Sequence, residues 1–174
     1  VASGKTAWRG MIDAAHVSGD TAHDVSLWLA SHAHIVSYPV SGGAQINIVA
    51  VMPADASLDA LTSSRMPQAL RSILGAVGTW TQWPLLSVDC LLWSEGPVAL
   101  LGDAAHAMMP FAAQGAAMAI EDAAVLAECL AHQPDAPAAA FARYSALRQP
   151  RIARIRRLAA QNGAIYHLRG PIAL

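Results

Sequence analysis

The sequence predicts an α/β fold, with a β-rich first half followed by a second half dominated by helices. Three observations support this prediction. Short β-rich runs alternate with turns as far as Val51. The run from Val98 to Leu101 is continuously apolar, as in a parallel strand that is buried on both faces. The stretch from Gly115 to about Ala131 is rich in alanine, which favours helices.

The first half, up to about residue 84, combines a hairpin with one amphipathic helix. Gly42-Gly43 separates two β-rich runs, which is a hairpin signal. Pro67 stands at a position that suits the first residue of a helix. Apolar residues follow it at helical spacing: Leu70, Ile73, Leu74 and Val77. The sequence therefore predicts a helix that begins at Pro67 and ends near Gly75 or Gly78.

The second half, from about residue 85, places an acidic residue at the end of the apolar run. Gly102 lets the backbone turn sharply, so Asp103 is predicted at the carboxyl end of a strand. Ligands of open α/β sheets bind at that edge. A loop of small residues then leads to a helix that begins near Gly115. Backbone N–H groups at the start of that helix can approach a planar or anionic ligand closely.

The last segment is basic and is predicted to be helical. Every acidic residue lies at or before Asp135, and a break at Pro134 and Pro137 precedes the final helical stretch, which Pro150 is expected to interrupt. The arginines of this segment are Arg143, Arg148, Arg151, Arg154, Arg156, Arg157 and Arg169. They are interleaved with apolar residues at helical spacing, and no aromatic stacking platform accompanies them. The pattern favours a solvated helix face, or a contact with an acidic part outside the chain, over nucleic-acid binding.

Composition restricts the class of protein. The chain has 174 residues, of which 55% are hydrophobic and 13% are charged, whereas about 25% charged is usual. Some apolar surface is therefore expected to face an absent half or a second subunit, as in a homodimer. No apolar run is long enough for a membrane span and no signal peptide opens the chain, so a cytoplasmic location is predicted. Cys90 and Cys129 form no CxxC pair, so neither a zinc site nor a disulfide framework is indicated.

The run GDAAHAMMPFAAQGAAMAIEDAA resembles the second flavin-binding motif of the class A aromatic-ring hydroxylases. These FAD-dependent monooxygenases include salicylate and 6-hydroxynicotinate hydroxylases. The matching positions are Gly102, Asp103, Ala104, Ala105, His106, Pro110, Gln114, Gly115, Glu121, Asp122 and Ala123. The family often has paired glycines and an asparagine where this chain has Ala112-Ala113 and Ala117. The chain therefore resembles the branch that contains salicylate hydroxylase.

The resemblance extends over nearly the whole chain. The segment 7–10 resembles the "aWRG" motif that opens the second half of the family's substrate domain, and residues 80–85 resemble its "W..wpL" segment. The family's N-terminal GxGxxG unit has no counterpart here. The resemblance implies the C-terminal part of the p-hydroxybenzoate-hydroxylase-like FAD-binding fold. Residues 1–84 would belong to the substrate-binding sheet domain, and residues 85–174 to the FAD-binding domain with its terminal helices.

The resemblance also implies an activity. NADH or NADPH would bind transiently and reduce FAD, and O₂ would form a flavin C4a-hydroperoxide that hydroxylates a small aromatic substrate. Two alternatives remain open at this point. One alternative is that the chain is an incomplete flavoprotein remnant that cannot bind FAD alone. The other is that it is part of a related flavoprotein hydroxylase or epoxidase of quinone or terpenoid pathways. The sequence does not name the aromatic substrate or choose between NADH and NADPH.

The residues that the resemblance assigns to FAD lie in the motif. They are Gly102, Asp103, Ala104, Pro110, Gln114, Gly115, Ala116 and Ala117. Asp103 is implied to contact the ribityl and pyrophosphate region, although an isolated aspartate there could equally cap the turn. Pro110 and the backbone of residues 114–116 are implied to lie against the isoalloxazine ring. Glu121 and Asp122 are expected to anchor their helix through structural hydrogen bonds.

Tyr38 and His106 are the candidates for substrate contact. Tyr38 ends a predicted strand, so packing with a satisfied hydroxyl is the alternative. His106 lies in a small-residue loop, where a histidine is usually a structural hydrogen-bonding group. His32 and His34 would share a strand face, but no third ligand has suitable spacing, so no metal is predicted. No Ser/His/Asp or Cys/His arrangement stands out, and the sequence identifies no catalytic base.

Overall fold

A five-stranded sheet occupies most of the first half of the described chain. The computed structural model describes residues 1–17, 19–30, 33–61 and 66–167. The strands are β1 (Ala2–Asp13), β2 (Ser26–Leu29), β3 (His34–Val40), β4 (Gln45–Pro53) and β5 (Thr81–Leu86), in the order β2-β3-β4-β1-β5. The pairs β2–β3, β3–β4 and β4–β1 are antiparallel.

The predicted hairpin is confirmed between β3 and β4. A 3₁₀ turn, Ser41–Gly43, joins the two strands. Gly42 and Gly43 have φ angles of 67° and 90°, a region that glycine enters without the penalty of a Cβ atom. The turn fixes the register in which Tyr38 lies opposite Asn47.

One face of the sheet packs against helix α1 (Gln68–Ala76). The amphipathic helix is confirmed: Pro67 precedes its first turn, and Leu70, Ile73 and Leu74 are buried. The sheet side of this core is formed by Ile12, Ile35, Ile46, Ile48, Ala50 and Met52. Side chains alternate between the faces of a strand, so Tyr38 and Asn47 lie on the opposite face.

The second half builds a separate apolar core from a short hairpin and helices. Its elements are β6 (Ser94–Glu95), β7 (Val98–Ala99), α2 (Asp103–His106), α3 (Gly115–His132) and α4 (Pro137–Ile165). The predicted helix from Gly115 is therefore confirmed, and it ends one residue later than expected. The core contains Trp93, Ala105, Met118, Cys129, Ala140, Tyr144, Ile152 and Ile155.

The expected parallel strand buried on both faces is not what the structure contains. Strand β7 covers only Val98 and Ala99, and it pairs antiparallel with β6. Val98 is 58% exposed and Leu101 is 39% exposed. A strand is buried on both faces only when neighbouring strands and helices cover it, and within the described ranges β7 has β6 as its sheet neighbour.

The expected interruption at Pro150 is also wrong. Helix α4 runs from Pro137 to Ile165 with Pro150 inside it. Proline removes one backbone donor and disfavours a helix interior. A stripe of buried residues on both sides of the proline packs the helix against its surroundings and offsets that loss. The stripe is Ala140, Tyr144, Arg148, Ile152, Ile155 and Ala159.

Residue contacts divide the chain into two units. The first unit comprises Gly4–Leu85 with Tyr166 and His167, and the second unit comprises Val1–Ser3 and Leu86–Ile165. At both ends of the chain this division differs from the predicted regions 1–84 and 85–174, whose functional content stays a prediction. Within the described ranges, no helix combines the length and the apolar character needed to cross a membrane.

Candidate functional site

The turn between β7 and α2 presents Asp103 to the surface. Gly102 precedes α2 with φ 60° and ψ −139°, a conformation that favours glycine. Asp103 is the first residue of α2 and is exposed. The N-cap position belongs to Gly102, and within the described part of the chain the Asp103 carboxylate has no hydrogen-bond or ion-pair partner. Asp103 therefore does not cap the turn, which was the alternative reading of this residue.

The carboxylate of Asp122 holds that turn from inside the protein. Its Oδ2 atom accepts hydrogen bonds from the Gly102 backbone N–H at 3.0 Å and from His106 Nε2 at 2.5 Å. Its Oδ1 atom accepts from Arg148 Nε at 2.7 Å. Burial opposes ionisation, but the hydrogen bonds from His106, Arg148 and Gly102 together hold the pKa of Asp122 below its usual value. The expected structural role of Asp122 is confirmed.

Arg148 continues the network towards the surface. Its Nη1 atom donates to Glu121 Oε2 at 2.7 Å, and its Nη2 atom donates to the Met118 carbonyl at 3.3 Å. Glu121 also accepts from Arg151 at 3.0 Å. Hydrogen bonds from Arg151 and then Arg148 lower the pKa of Glu121 to about 2. Two arginines and two acids therefore join α3 to α4.

His106 is enclosed by protein. It is 1% exposed, and its ring lies 5.2 Å from the ring of Trp93, centroid to centroid. Because Asp122 is ionised and accepts only, Nε2 is the donor of the pair. The Nδ1 atom is buried and has no hydrogen-bond partner among the described residues. These contacts support a structural role, and the substrate contact assigned to His106 stays a prediction.

The loop from Pro110 to Gln114 leads into α3 with little side-chain bulk. Pro110 is exposed and begins a 3₁₀ turn, and Ala113 has a φ of 51°. The first backbone bond of α3 runs from Met118 N to Gln114 O. The N–H groups of residues 115–117 consequently point out of the helix end, and no acidic side chain lies in this first turn. Gln114 supplies no side-chain cap.

The turn at Gly102 lies against α3. A Cβ atom built on Gly102 would stand 3.2 Å from Ala119 Cβ. The residues assigned to FAD all belong to this one unit: Gly102, Asp103, Ala104, Pro110, Gln114, Gly115, Ala116 and Ala117. This unit thus holds an exposed carboxylate next to a turn that packs against α3, and a helix N-terminus whose first N–H groups make no bond within the helix. Such a set fits a ligand that offers hydroxyl donors and also develops negative charge.

Tyr38 belongs to the other unit. It is half-buried on the sheet face away from α1. On the same face, Arg9 Nη2 lies 3.5 Å from Asn47 Oδ1, and Asn47 is buried with its Nδ2 atom unpaired among the described residues. The role of Tyr38 in substrate binding stays a prediction.

The described residues contain no cluster of candidate metal ligands. No group of three or more His, Cys, Asp or Glu side chains there could hold an ion. His34 Nδ1 lies 3.2 Å from His167 Nε2, within hydrogen-bond distance. His32, the other member of the considered pair, lies outside the described residues.

Sequence reasoning missed the role of Arg148. The arginines were expected on a solvated face or against acids outside the chain, yet Arg148 is buried against Glu121 and Asp122 of the same chain. Arg156 likewise pairs with Asp89 at 2.8 Å. A signal did exist, because Arg148 occupies a position of the buried stripe of α4, where the flanking members are apolar or tyrosine.

Comparison with protein families gives one match over most of the chain. The family is described as FAD binding domain, and the match covers residues 8–159. The motif on which the resemblance rested, Gly102 to Ala123, lies within this range. The resemblance is therefore confirmed, and FAD is the cofactor of the family.

Curated relatives and solved structures agree with this family. The 3-hydroxybenzoate 6-hydroxylase of Klebsiella oxytoca is 33% identical over 181 residues, covering 97% of this chain and 46% of the relative. The salicylate hydroxylase of Pseudomonas putida is 33% identical over 201 residues, covering 98% of this chain and 46% of the relative. The chain spans about half the length of the curated relatives it matches.

A salicylate hydroxylase solved as a substrate complex superposes with a TM-score of 0.78 and 25% identity, covering 98% of this chain and 49% of that chain. The fold is shared as well by HpxO of Klebsiella pneumoniae, solved with FAD and uric acid, with a TM-score of 0.78, 24% identity and coverage of 94% and 45%. These relatives are FAD-dependent monooxygenases, and the chain belongs to the FAD-binding domain family.

Proposed function

We propose that this chain is the C-terminal part of an FAD-dependent monooxygenase that hydroxylates a small aromatic substrate with NAD(P)H and O₂. The observation that carries the proposal is the placement of Asp103: its exposed carboxylate has no partner in the described residues, and it follows directly on the Gly102 turn, which packs against Ala119 of α3. A carboxylate in that position suits the hydroxyl groups of a ribityl chain. The chemistry of the relatives named above supports the proposed reaction.

Each part of the site has a proposed role. Asp103 accepts hydrogen bonds from ribityl hydroxyls, and the small side chain of Ala104 leaves room beside it. Pro110 and the backbone of residues 114–116 would lie against the isoalloxazine ring, where the N–H groups at the start of α3 would stabilise negative charge on the reduced flavin. When bound, FAD would accept electrons from NAD(P)H, and the reduced flavin would activate O₂. The protein orients the reactants and excludes water.

The proposed substrate side includes Tyr38. Its ring is half-buried on the sheet face away from α1, where an aromatic side chain can pack against an aromatic substrate. The burial of His106 and its bond to Asp122 favour a structural role over substrate contact. A base that ionises the substrate is not assigned to any residue of this chain.

Contacts with an N-terminal half are part of the proposal. Large apolar side chains of the second unit are exposed: Leu91, Leu92, Val98, Leu101 and Ile120. The run that contains Val98 and Leu101 has the composition of a strand buried on both faces. Contact with an N-terminal half would cover it. Burial of this surface would also explain the low charged fraction of 13%.

The test begins with FAD binding. The 174-residue chain and the complete flavoprotein that contains it are purified, mixed with FAD and desalted, and the flavin absorbance of each is recorded. Asp103→Asn is expected to weaken FAD binding by about tenfold or more, the scale of a hydrogen bond to a charged group. Asp135→Asn is the matched control, because Asp135 is also exposed and is not part of the site.

Activity follows in the complete protein. NAD(P)H oxidation with hydroxybenzoates, together with a product that gains one oxygen atom, is the expected result. Flavin that binds only the complete protein would identify the chain as an incomplete flavoprotein by itself. A complete protein that binds no FAD, or that binds it equally well with Asp103→Asn, contradicts the proposal. Turnover of a quinone-pathway or terpenoid substrate in place of an aromatic acid supports the related hydroxylases and epoxidases.

A further inference from the structure

We infer that Arg148, on α4, is a positioning residue of the flavin site: through Asp122 it fixes the Gly102 turn and thereby sets the place of the Asp103 carboxylate. The inference rests on the proposed function, since it concerns how the FAD contact is held. Arg148 itself is buried and need not touch the cofactor.

Gly102 begins the turn that leads into Asp103. Glycine can occupy many backbone conformations at little cost, and Gly102, with a φ of 60°, has no side chain of its own to hold one; its carbonyl accepts two N–H groups of α2, and its N–H is free to bond outside the turn. The Asp122 carboxylate selects one of these conformations by accepting the Gly102 N–H at 3.0 Å. Asp103 is the next residue and has no side-chain partner of its own among the described residues. Its position is therefore set by the backbone of Gly102.

Asp122 is held in one orientation by partners on both of its oxygen atoms. Its two oxygen atoms serve different partners: Oδ2 takes Gly102 and His106, while Oδ1 takes Arg148. Without Arg148, Oδ1 would be a buried acceptor with nothing to bond, on a side chain that has no solvent exposure. A carboxylate in that state is driven to become protonated or to turn away, and either change disturbs the Gly102 bond.

Arg148 is itself held in one orientation. The guanidinium group meets Asp122 through Nε, Glu121 through Nη1 and the Met118 carbonyl through Nη2. A planar fork with three occupied directions has little freedom to rotate. All three acceptors lie on α3, whereas Arg148 lies on α4. The position of α4 is thus transmitted to the turn that carries Asp103.

The test is a double-mutant cycle in the complete flavoprotein. The FAD dissociation constant is measured for the wild type, Arg148→Met, Asp103→Ala and the double variant, at a temperature where circular dichroism shows all four folded. Arg148→Met is expected to weaken FAD binding about tenfold in the wild-type background and less than about twofold in the Asp103→Ala background, because the lost interaction is then already absent. Arg156→Met, on the same helix and paired with Asp89 outside the network, is the matched control and should leave FAD binding unchanged.

The outcomes separate the inference from the proposed function. A wild type that binds no FAD overturns both. A wild type that binds FAD, with an Arg148→Met effect of equal size in both backgrounds or with no effect at all, overturns the inference alone and leaves Arg148 a stabilising residue. Should Arg148→Met fail to fold, Arg148→Lys takes its place in the same cycle, because lysine keeps the charge but cannot present the fork to Asp122 and Glu121 together.

Discussion

The Nε atom of Arg148 donates to Oδ1 of Asp122 at 2.7 Å, with 6% of the arginine side chain and none of the aspartate side chain exposed. The two residues form an ion pair that is almost fully buried, and each charge compensates the other. Such a pair adds little net stability compared with apolar residues, but removal of one partner leaves an uncompensated buried charge. The stability of the second unit therefore depends on this ion pair between α4 and α3.

Replacement of Arg148 by methionine is expected to lower the free energy of unfolding by about 3–5 kcal/mol, the usual cost of breaking a buried ion pair. Arg156→Met is the control. Its partner Asp89 has a side chain that is 71% exposed, and exposed pairs contribute about 0–1 kcal/mol. Urea denaturation followed by circular dichroism measures both values. Equal losses in the two variants would contradict the assignment of Arg148 to a buried network.

Glu121 should contribute to stability in a pH-dependent way. Its pKa falls from 4.5 to about 2 in the folded protein because Arg151 and Arg148 donate to it. A lowered carboxyl pKa adds stability above pH 4.5, and this stability is lost as the pH falls towards 2. Glu121→Gln is therefore expected to be less stable than the wild type at pH 6 and equally stable near pH 2.

Unfolding curves at a series of pH values measure this difference. Glu128→Gln is the control, because Glu128 lies on the same helix and its exposed side chain forms no ion pair within the described residues. A gap between Glu121→Gln and the wild type that persists unchanged to pH 2 would refute the prediction.

His34 should make the first unit sensitive to mild acid. Burial, then the neighbouring His167 and Lys5, lower its pKa from 6.5 to about 4. Between these values the unfolded chain binds more protons than the folded chain, so stability falls as the pH drops from 6.5 to 4. His34→Gln is expected to show a shallower loss over this window in thermal unfolding. The exposed His16, replaced by Gln, should keep the slope of the wild type; a wild-type slope in His34→Gln would exclude this role.

Gly163 should resist replacement although it lies in a helix. A Cβ atom there would stand 2.5 Å from Cδ2 of Phe111, which lies in the 3₁₀ turn that begins at Pro110. Alanine favours helices over glycine by about 1 kcal/mol, but displacement of the buried ring is expected to outweigh this gain. Gly163→Ala should therefore lower the melting temperature and loosen the Pro110 loop.

Gly75→Ala provides the comparison for that experiment. Gly75 also lies in a helix, and a Cβ atom there meets nothing within 4 Å. Its melting temperature should stay equal or rise. Thermal unfolding gives the melting temperature of both variants. A higher melting temperature for Gly163→Ala would contradict the prediction, because it would show that the Phe111 ring moves aside without loss of stability.

Local patterns predicted much of the fold and part of the site. The Gly42-Gly43 hairpin, the helix after Pro67 and the helix from Gly115 are where the sequence indicates them. These features depend on backbone preference and on the period of apolar residues, both of which are readable over a few neighbours. Strand β7 was misjudged because its burial depends on neighbouring strands.

The sequence by itself determined the order of the flavin motif and the exposed acid at its turn, since Gly102 and Asp103 are adjacent and glycine permits that turn. Only the tertiary structure decided what holds the turn in place. Asp122 lies 20 residues from Gly102, and Arg148 lies 26 residues from Asp122. Helical periodicity indicates that Arg148 faces a core, but the acid it meets depends on how α4 packs against α3. That packing is a long-range property, fixed by the shapes and charges of both helices together.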